Sequence, residues 1–142
     1  MQQKLTTRVS RRFNQSADRV FDAWLDPKSA GTWLFATPTG KITRVAIDAR
    51  VGGSFSIVRS EGEDIEHVGE YFEIDRPRRL VFSFGVPKFS AEMTRVTIEI
   101  SPLGKGCELV LTNEGVLAEY GERNAEGWTM ILGSLARELG VR

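Results

Sequence analysis

Residues 128–140 read WTMILGSLARELG. The apolar residues of this stretch recur at intervals of three and four, which is the spacing of one face of an α-helix. They are Trp128, Ile131, Leu132, Leu135 and Leu139. We expect Asn124 to be the N-cap of this helix and Gly140 to end it. No other long helix is predicted, so the apolar stripe must be buried against what the preceding chain forms.

The chain before this helix has a period of two, which is typical of strands with one buried face. Apolar and polar residues alternate in short stretches, and the turns between them are rich in glycine, proline and charged residues. The predicted strands cover residues 7–13, 41–48, 54–59, 66–75, 80–85, 95–100 and 107–113. Short turns between successive strands indicate an antiparallel meander.

Two short helices are predicted between the first and second strands. Ser16 is a good N-cap for a helix over residues 17–25. Pro27 ends that helix, because the residue before a proline avoids helical backbone angles. The same proline can begin a second short helix, which we expect to end near Thr37.

These elements predict an α+β helix-grip fold: a curved seven-stranded antiparallel sheet around a long C-terminal helix, with two short helices after the first strand. A single domain over residues 1–142 is expected, since this length fits one domain. A strongly twisted sheet with one apolar face wraps around a helix. We expect the large aromatic residues to point into the gap between them. They are Trp24, Trp33, Phe55, Phe72, Phe82, Phe84 and Trp128.

The composition excludes several classes of function. Lys+Arg and Asp+Glu are both 19, so the formal net charge is +0 and neither nucleic acid nor an anionic membrane is an expected partner. No apolar run is long enough to span a bilayer, and the N-terminal residues lack the apolar core of a signal peptide. With one cysteine, Cys107, no intramolecular disulfide can form. We therefore expect a cytoplasmic protein.

Several motifs carry a family resemblance. Residues 17–24 (ADRVFDAW) and 48–55 (DARVGGSF) resemble the opening and the D-x-R-x-G-G-x-aromatic signature of the heat-shock-protein-90 ATPase activator homologue-like family. Residues 69–82, 112–115 and 127–135 resemble its central hairpin, last strand and closing helix. The resemblance implies membership of the START-like, birch-pollen-allergen-like superfamily (SRPBCC), in which many relatives have a cavity for apolar ligands. The eukaryotic activators use such a domain together with another, which we do not expect here.

We predict that a ligand cavity lies where the second short helix, the inner sheet face and the terminal helix meet. Its candidate lining residues are Trp33, Phe35, Phe55, His67, Phe82, Phe84, Trp128 and Ile131. Phe35 and the loop of residues 86–92 are candidates for its rim. Pockets of this kind place a few polar groups among apolar ones, and the candidates here are His67, Arg50 and Tyr71.

The other candidate sites have structural interpretations. In residues 48–53, Gly52 and Gly53 permit a turn, and Asp48 or Arg50 would fix it through charge-assisted bonds. His67 is the only histidine, and one histidine with one cysteine is too few ligands for a typical zinc site, so neither metal nor cofactor is expected. Cys107 is expected to be a small buried apolar residue.

The absence of a recognisable catalytic set favours binding of a small apolar or aromatic molecule without defined catalysis. The alternative is a cyclase-like or hydrolase-like enzyme acting on a hydrophobic small molecule, with His67 recruiting Glu66 or Glu70. A more distant alternative is a chaperone partner, which only the resemblance implies. The exposed edges of an antiparallel sheet are also compatible with a homodimer.

Overall fold

A computed structural model describes residues 3–140, so two residues at each end of the predicted domain lie outside it. Seven strands form one antiparallel sheet in the order β1-β7-β6-β5-β4-β3-β2, and three helices pack with it. The predicted helix-grip fold is confirmed. The strands are β1 (Lys4–Phe13), β2 (Lys41–Ile47), β3 (Ser54–Ser60), β4 (Asp64–Asp75), β5 (Arg79–Phe84), β6 (Thr94–Leu103) and β7 (Gly106–Leu117). The helices are α1 (Ala17–Leu25), α2 (Pro27–Trp33) and α3 (Gly121–Gly140), with a 3₁₀ turn, Ala118–Tyr120, before α3.

The boundary between α1 and α2 follows from local chemistry. The Ser16 hydroxyl accepts a hydrogen bond from the Arg19 amide at the start of α1. Asp26 ends α1 in an extended conformation. Its Oδ1 atom accepts a hydrogen bond from the Lys28 backbone amide over 3.0 Å, which caps α2. Pro27 occupies the first position of α2, where a missing N–H has no cost.

The second helix is shorter than predicted. It ends at Trp33 rather than near Thr37, because Leu34 is extended and Phe35 has a φ of 61°. A non-glycine residue with positive φ cannot continue a right-handed helix. This reversal turns the buried Phe35 ring into the interior of the molecule.

The start of α3 also differs from the prediction. The helix begins at Gly121, and Asn124 lies inside it rather than at the N-cap. The Asn124 amide instead donates a hydrogen bond to Asn113 Oδ1 at 2.8 Å. A side chain committed to a tertiary contact is no longer available to cap its own helix.

The core lies between the inner face of the sheet and the helices. From α3, the side chains of Trp128, Leu132, Leu135 and Leu139 are buried in it. Phe72 does not face this interior as predicted. It is exposed on the outer face, with the Arg95 guanidinium 5.3 Å from its ring centre, because the preceding Tyr71 is buried and successive strand residues point to opposite faces.

Within residues 3–140, none of the helices is both long enough and apolar enough to cross a bilayer.

Candidate functional site

A cavity of about 660 Å³ opens between the sheet and α3. Its walls come from β3, β4 and β5, the loop after β5, the end of β7 and the first turns of α3. A volume of this size is within the range of pockets that bury a drug-sized ligand.

Aromatic rings form one wall of this cavity. The Phe35 ring stacks on the His67 ring with 4.4 Å between centroids and an interplanar angle of 8°. The Phe84 ring stacks on the same Phe35 ring at 5.2 Å. Trp128 of α3 meets Phe84 edge-on at 5.4 Å, which joins the sheet to the helix across the cavity. Such contacts fix the rings in place, so the wall is preorganised for an apolar guest.

Phe35 separates this cavity from a much smaller void of about 10 Å³. The void is enclosed by Phe35 together with Trp24, Leu34, Phe55, Tyr71, Leu80 and Phe82. Its volume is at the lower limit for one water molecule, so it is too small for an organic ligand.

His67 is a neutral group in the cavity wall. Burial, aided by the Arg59 charge, lowers the pKa of His67 to about 4 despite its bond to a backbone carbonyl. Nδ1 lies 3.1 Å from the Ile57 carbonyl oxygen, which can only accept. Nδ1 of the neutral ring therefore carries the proton and donates it to this carbonyl.

Arg59 lies on the same wall as His67. The register pairs Ile57 with His67 and Arg59 with Ile65, so Arg59 and His67 are diagonal neighbours on the inner face of the sheet. The Nη1 atom of Arg59 donates a hydrogen bond to the Phe35 carbonyl oxygen at 3.0 Å. This bond holds the reversed backbone at Phe35.

A buried polar network around Asn113 anchors α3 beside the cavity. Asn113 Oδ1 accepts hydrogen bonds from Trp128 Nε1 at 3.1 Å and from Asn124 Nδ2 at 2.8 Å. Asn113 Nδ2 donates to Thr94 Oγ1 and to the Arg95 carbonyl oxygen. Thr7 Oγ1 in turn contacts Asn124 Oδ1. Asn113 is thus fully buried, and both the donor and the acceptor of its side-chain amide have hydrogen-bond partners.

The mouth of the cavity is rich in exposed apolar side chains. Phe89 comes from the loop after β5, Tyr120 from the 3₁₀ turn and Met130 from α3. Val86, Ser90 and Glu92 of the same loop also line the cavity, in keeping with the predicted rim at residues 86–92. Phe35, by contrast, is part of the buried wall and not of the rim.

The structure divides the predicted cavity residues into three groups. Five of them line the large cavity: Phe35, His67, Phe84, Trp128 and Ile131. Phe55 and Phe82 line only the small void behind Phe35. Trp33 lines neither space, because its indole packs edge-on against Trp24 at 4.8 Å in the core.

The predicted polar groups are also separated. Arg50 lies in the turn between β2 and β3, where its Nε donates to both carboxylate oxygens of Asp48 at 3.1 and 2.9 Å. Gly52 has a φ of 86°, and a Cβ at Gly53 would lie 2.2 Å from the Asp48 carbonyl oxygen, so both positions of this turn require glycine. Tyr71 borders the small void, and burial raises the pKa of its hydroxyl.

The carboxylates considered as catalytic partners for His67 do not line the cavity. Glu66 accepts a hydrogen bond from the Ser56 hydroxyl at 2.5 Å, and Glu70 is exposed on the other face of β4. Cys107 is buried at the start of β7 outside the cavity, and burial raises the pKa of its thiol. His67 therefore has no acid–base partner among the candidates that the sequence offered.

Several polar residues of the cavity were not predicted. They are Arg59, Thr94, Arg123 and Asn124. The signal for Arg59 is present in the sequence, because it continues the inward alternation of Phe55 and Ile57. Arg123 and Asn124 line the cavity because α3 begins at Gly121, and the sequence pattern did not show this start.

The curved sheet and the closing helix agree with what comparison shows. Residues 14–140 match the model of the family described as activator of Hsp90 ATPase homolog 1-like protein. The chain belongs to this family. No curated protein matches the chain.

Solved structures of the family's fold are closely similar. A crystal structure of a protein from Chromobacterium violaceum superposes with a TM-score of 0.85 at 26% identity, over 93% of this chain and 94% of that one. A crystal structure of a protein from Rhizobium loti superposes with a TM-score of 0.84 at 26% identity, over 97% of this chain and 99% of that one. An AHSA1-like protein from Aeromonas hydrophila, solved by NMR, superposes with a TM-score of 0.82 at 20% identity, over 96% of this chain and 93% of that one. This last similarity supports the fold alone.

Proposed function

We propose that the protein binds a small apolar or aromatic molecule in the cavity between the sheet and α3, without defined catalysis. The observation that carries this proposal is the cavity of about 660 Å³ with Phe35, Phe84, Trp128 and Ile131 in its walls. An apolar guest that displaces water from such walls gains roughly 25 cal/mol for each Å² of apolar surface it buries. The family's fold commonly holds hydrophobic ligands, which is consistent with this use.

The enzyme alternative has less support. It rests on His67, whose neutral ring lines the cavity wall. The partners that the sequence offered for acid–base chemistry with His67 are elsewhere, since Glu66, Glu70 and Asp48 do not line this cavity. A role as a chaperone partner stays a prediction drawn from the family name.

A titration with N-phenyl-1-naphthylamine tests the proposal, because this neutral probe fluoresces strongly in apolar surroundings. We expect a saturable rise in fluorescence with one site per chain. Gly127 lines the cavity, and a Cβ built on it meets no atom within 4 Å. The variant Gly127→Leu should therefore fill the cavity and weaken binding about tenfold or more.

Gly133→Leu is the matched control, since Gly133 is in the same helix but does not line the cavity. It should bind the probe as the wild type does. Equal affinity for the probe in both variants, or no saturable binding by the wild type, would contradict the proposal.

A further inference from the structure

Arg59 is a cation with unused donors in the cavity wall. It follows Phe55 and Ile57 on the inner face of β3, and 18% of its side chain is exposed. The bond from Nη1 to the Phe35 carbonyl is the only hydrogen bond of its guanidinium within the described residues. A guanidinium has five N–H donors in a planar fork, so most of them are available to a guest.

The Nε atom of Arg59 is the clearest sign of a missing partner. It is buried and has no hydrogen bond among residues 3–140. Glu61 Oε1 lies 3.4 Å away, close enough for ionic attraction but without the geometry of a hydrogen bond. A buried donor without an acceptor is unfavourable, so the protein itself leaves the guanidinium of Arg59 incompletely satisfied.

Glu61 is occupied with the chain around it. Its two carboxylate oxygens accept hydrogen bonds from the Thr37 and Thr39 hydroxyls at 2.9 and 2.5 Å. These bonds hold the segment between α2 and β2 at the edge of the cavity. Glu61 therefore offsets part of the Arg59 charge without accepting a hydrogen bond from its guanidinium.

The remaining charges around the cavity also favour an anion. Arg123 of α3 lines the cavity and has no ion-pair partner in the part of the chain that the structure describes. Glu92, the acidic residue in the lining, is neutralised by Lys4 at 2.7 Å. His67 is neutral near pH 7 and adds no charge of its own. The lining thus has an excess of positive charge above a mostly apolar interior.

We propose that the cavity selects apolar molecules that end in a carboxylate, with the carboxylate held by Arg59 and the apolar part packed against Phe84 and Trp128. This inference rests on the proposed function, because it names the class of ligand for the same site. Arginine and carboxylate form paired, charge-assisted hydrogen bonds, which are stronger than neutral ones and directional. A matching alcohol cannot form this pair of charge-assisted bonds.

Displacement of bound N-phenyl-1-naphthylamine by decanoate and by decanol at pH 7.5 tests the inference. The two competitors share a ten-carbon chain and differ in the charged head. The wild type should bind decanoate about tenfold more tightly than decanol or better. Arg59→Gln should lose this preference and retain its affinity for decanol, while Arg59→Lys, which keeps the charge without the planar fork, should be intermediate.

Arg8→Gln is the control for net charge, because Arg8 is exposed on β1 and does not line the cavity. It should keep the wild-type preference for decanoate. Wild-type binding of decanol and decanoate with equal affinity would overturn the inference and leave the cavity function standing, as would an unchanged preference in Arg59→Gln. Failure of the neutral probe to bind at all would instead remove the proposed function itself.

Discussion

The indole Nε1 of Trp128 donates a hydrogen bond over 3.1 Å to Oδ1 of Asn113, which is fully buried. This bond joins α3 to β7 and fixes the angle at which the indole faces Phe84. The wall of the cavity is thus defined by a polar contact behind it and not by apolar packing alone. A buried donor has few alternatives in such a place, so the orientation of Trp128 is unique.

Asn113→Leu should be strongly destabilising, although leucine has the same branched shape. The substitution leaves the buried donors of Trp128 and Asn124 without their acceptor. We expect a loss of about 2–4 kcal/mol in the free energy of unfolding, measured by urea denaturation. Asn14→Leu in an exposed turn is the matched control and should change stability by less than about 0.5 kcal/mol. Similar losses for both variants would contradict this role for Asn113.

The order of stability between an alanine and a glycine should be opposite at positions 35 and 127. Phe35 has a φ of 61°, where alanine is strained and glycine is not. Phe35→Gly should therefore be more stable than Phe35→Ala by about 1 kcal/mol, although both lose the ring. At Gly127, inside α3, alanine should be the more stable residue by about 1 kcal/mol. The measurement is the midpoint of urea unfolding, and the same rank at both positions would refute the left-handed backbone at Phe35.

The stability of the protein should depend on His67 in mildly acidic solution. The pKa of His67 is about 4 in the fold, whereas the ordinary value is 6.5. Between these values the unfolded chain binds a proton that the folded chain does not, so stability falls as the pH falls from 6.5 to 4. The full effect is up to about 3 kcal/mol, since one pKa unit corresponds to about 1.4 kcal/mol.

His67→Phe isolates this effect, because phenylalanine preserves a flat ring against Phe35 and cannot titrate. The stability advantage of the wild type over the variant should shrink steadily between pH 7 and pH 4.5 in urea titrations. The carboxyl groups of Asp22 and Glu61, whose pKa values are also lowered, are common to both proteins and cancel in the comparison. A difference in stability that stays constant with pH would show that His67 is not buried in its neutral form.

The architecture was predictable because the periodicities in the sequence are strong. The stripe of Trp128, Leu132, Leu135 and Leu139 and the alternation of the strands each identify a face that must be buried. At two of the positions where prediction was wrong, a tertiary contact overrides a local preference. Asn124 bonds to Asn113 instead of capping α3, and Phe35 leaves the helical conformation while Arg59 holds its carbonyl.

The site was only partly predictable for a related reason. Alternation places Phe55, Phe82 and Phe84 on one face of the sheet, but it does not say which of them meet a cavity and which are packed. That division depends on where the Phe35 ring lies, and its position follows from a single backbone angle. The place of Trp33 in the second short helix predicts that it lines the cavity, yet its ring packs against Trp24 in the core.

The location of a bound neutral ligand tests the central claim most directly. We would soak crystals of the protein with 6-bromo-2-naphthol and find the bromine from its anomalous scattering. The account predicts one dominant peak inside the cavity, in contact with Phe84, Trp128 and Ile131. A cavity closed by its own side chains, or bromine found only on the outer surface of the sheet, would contradict it.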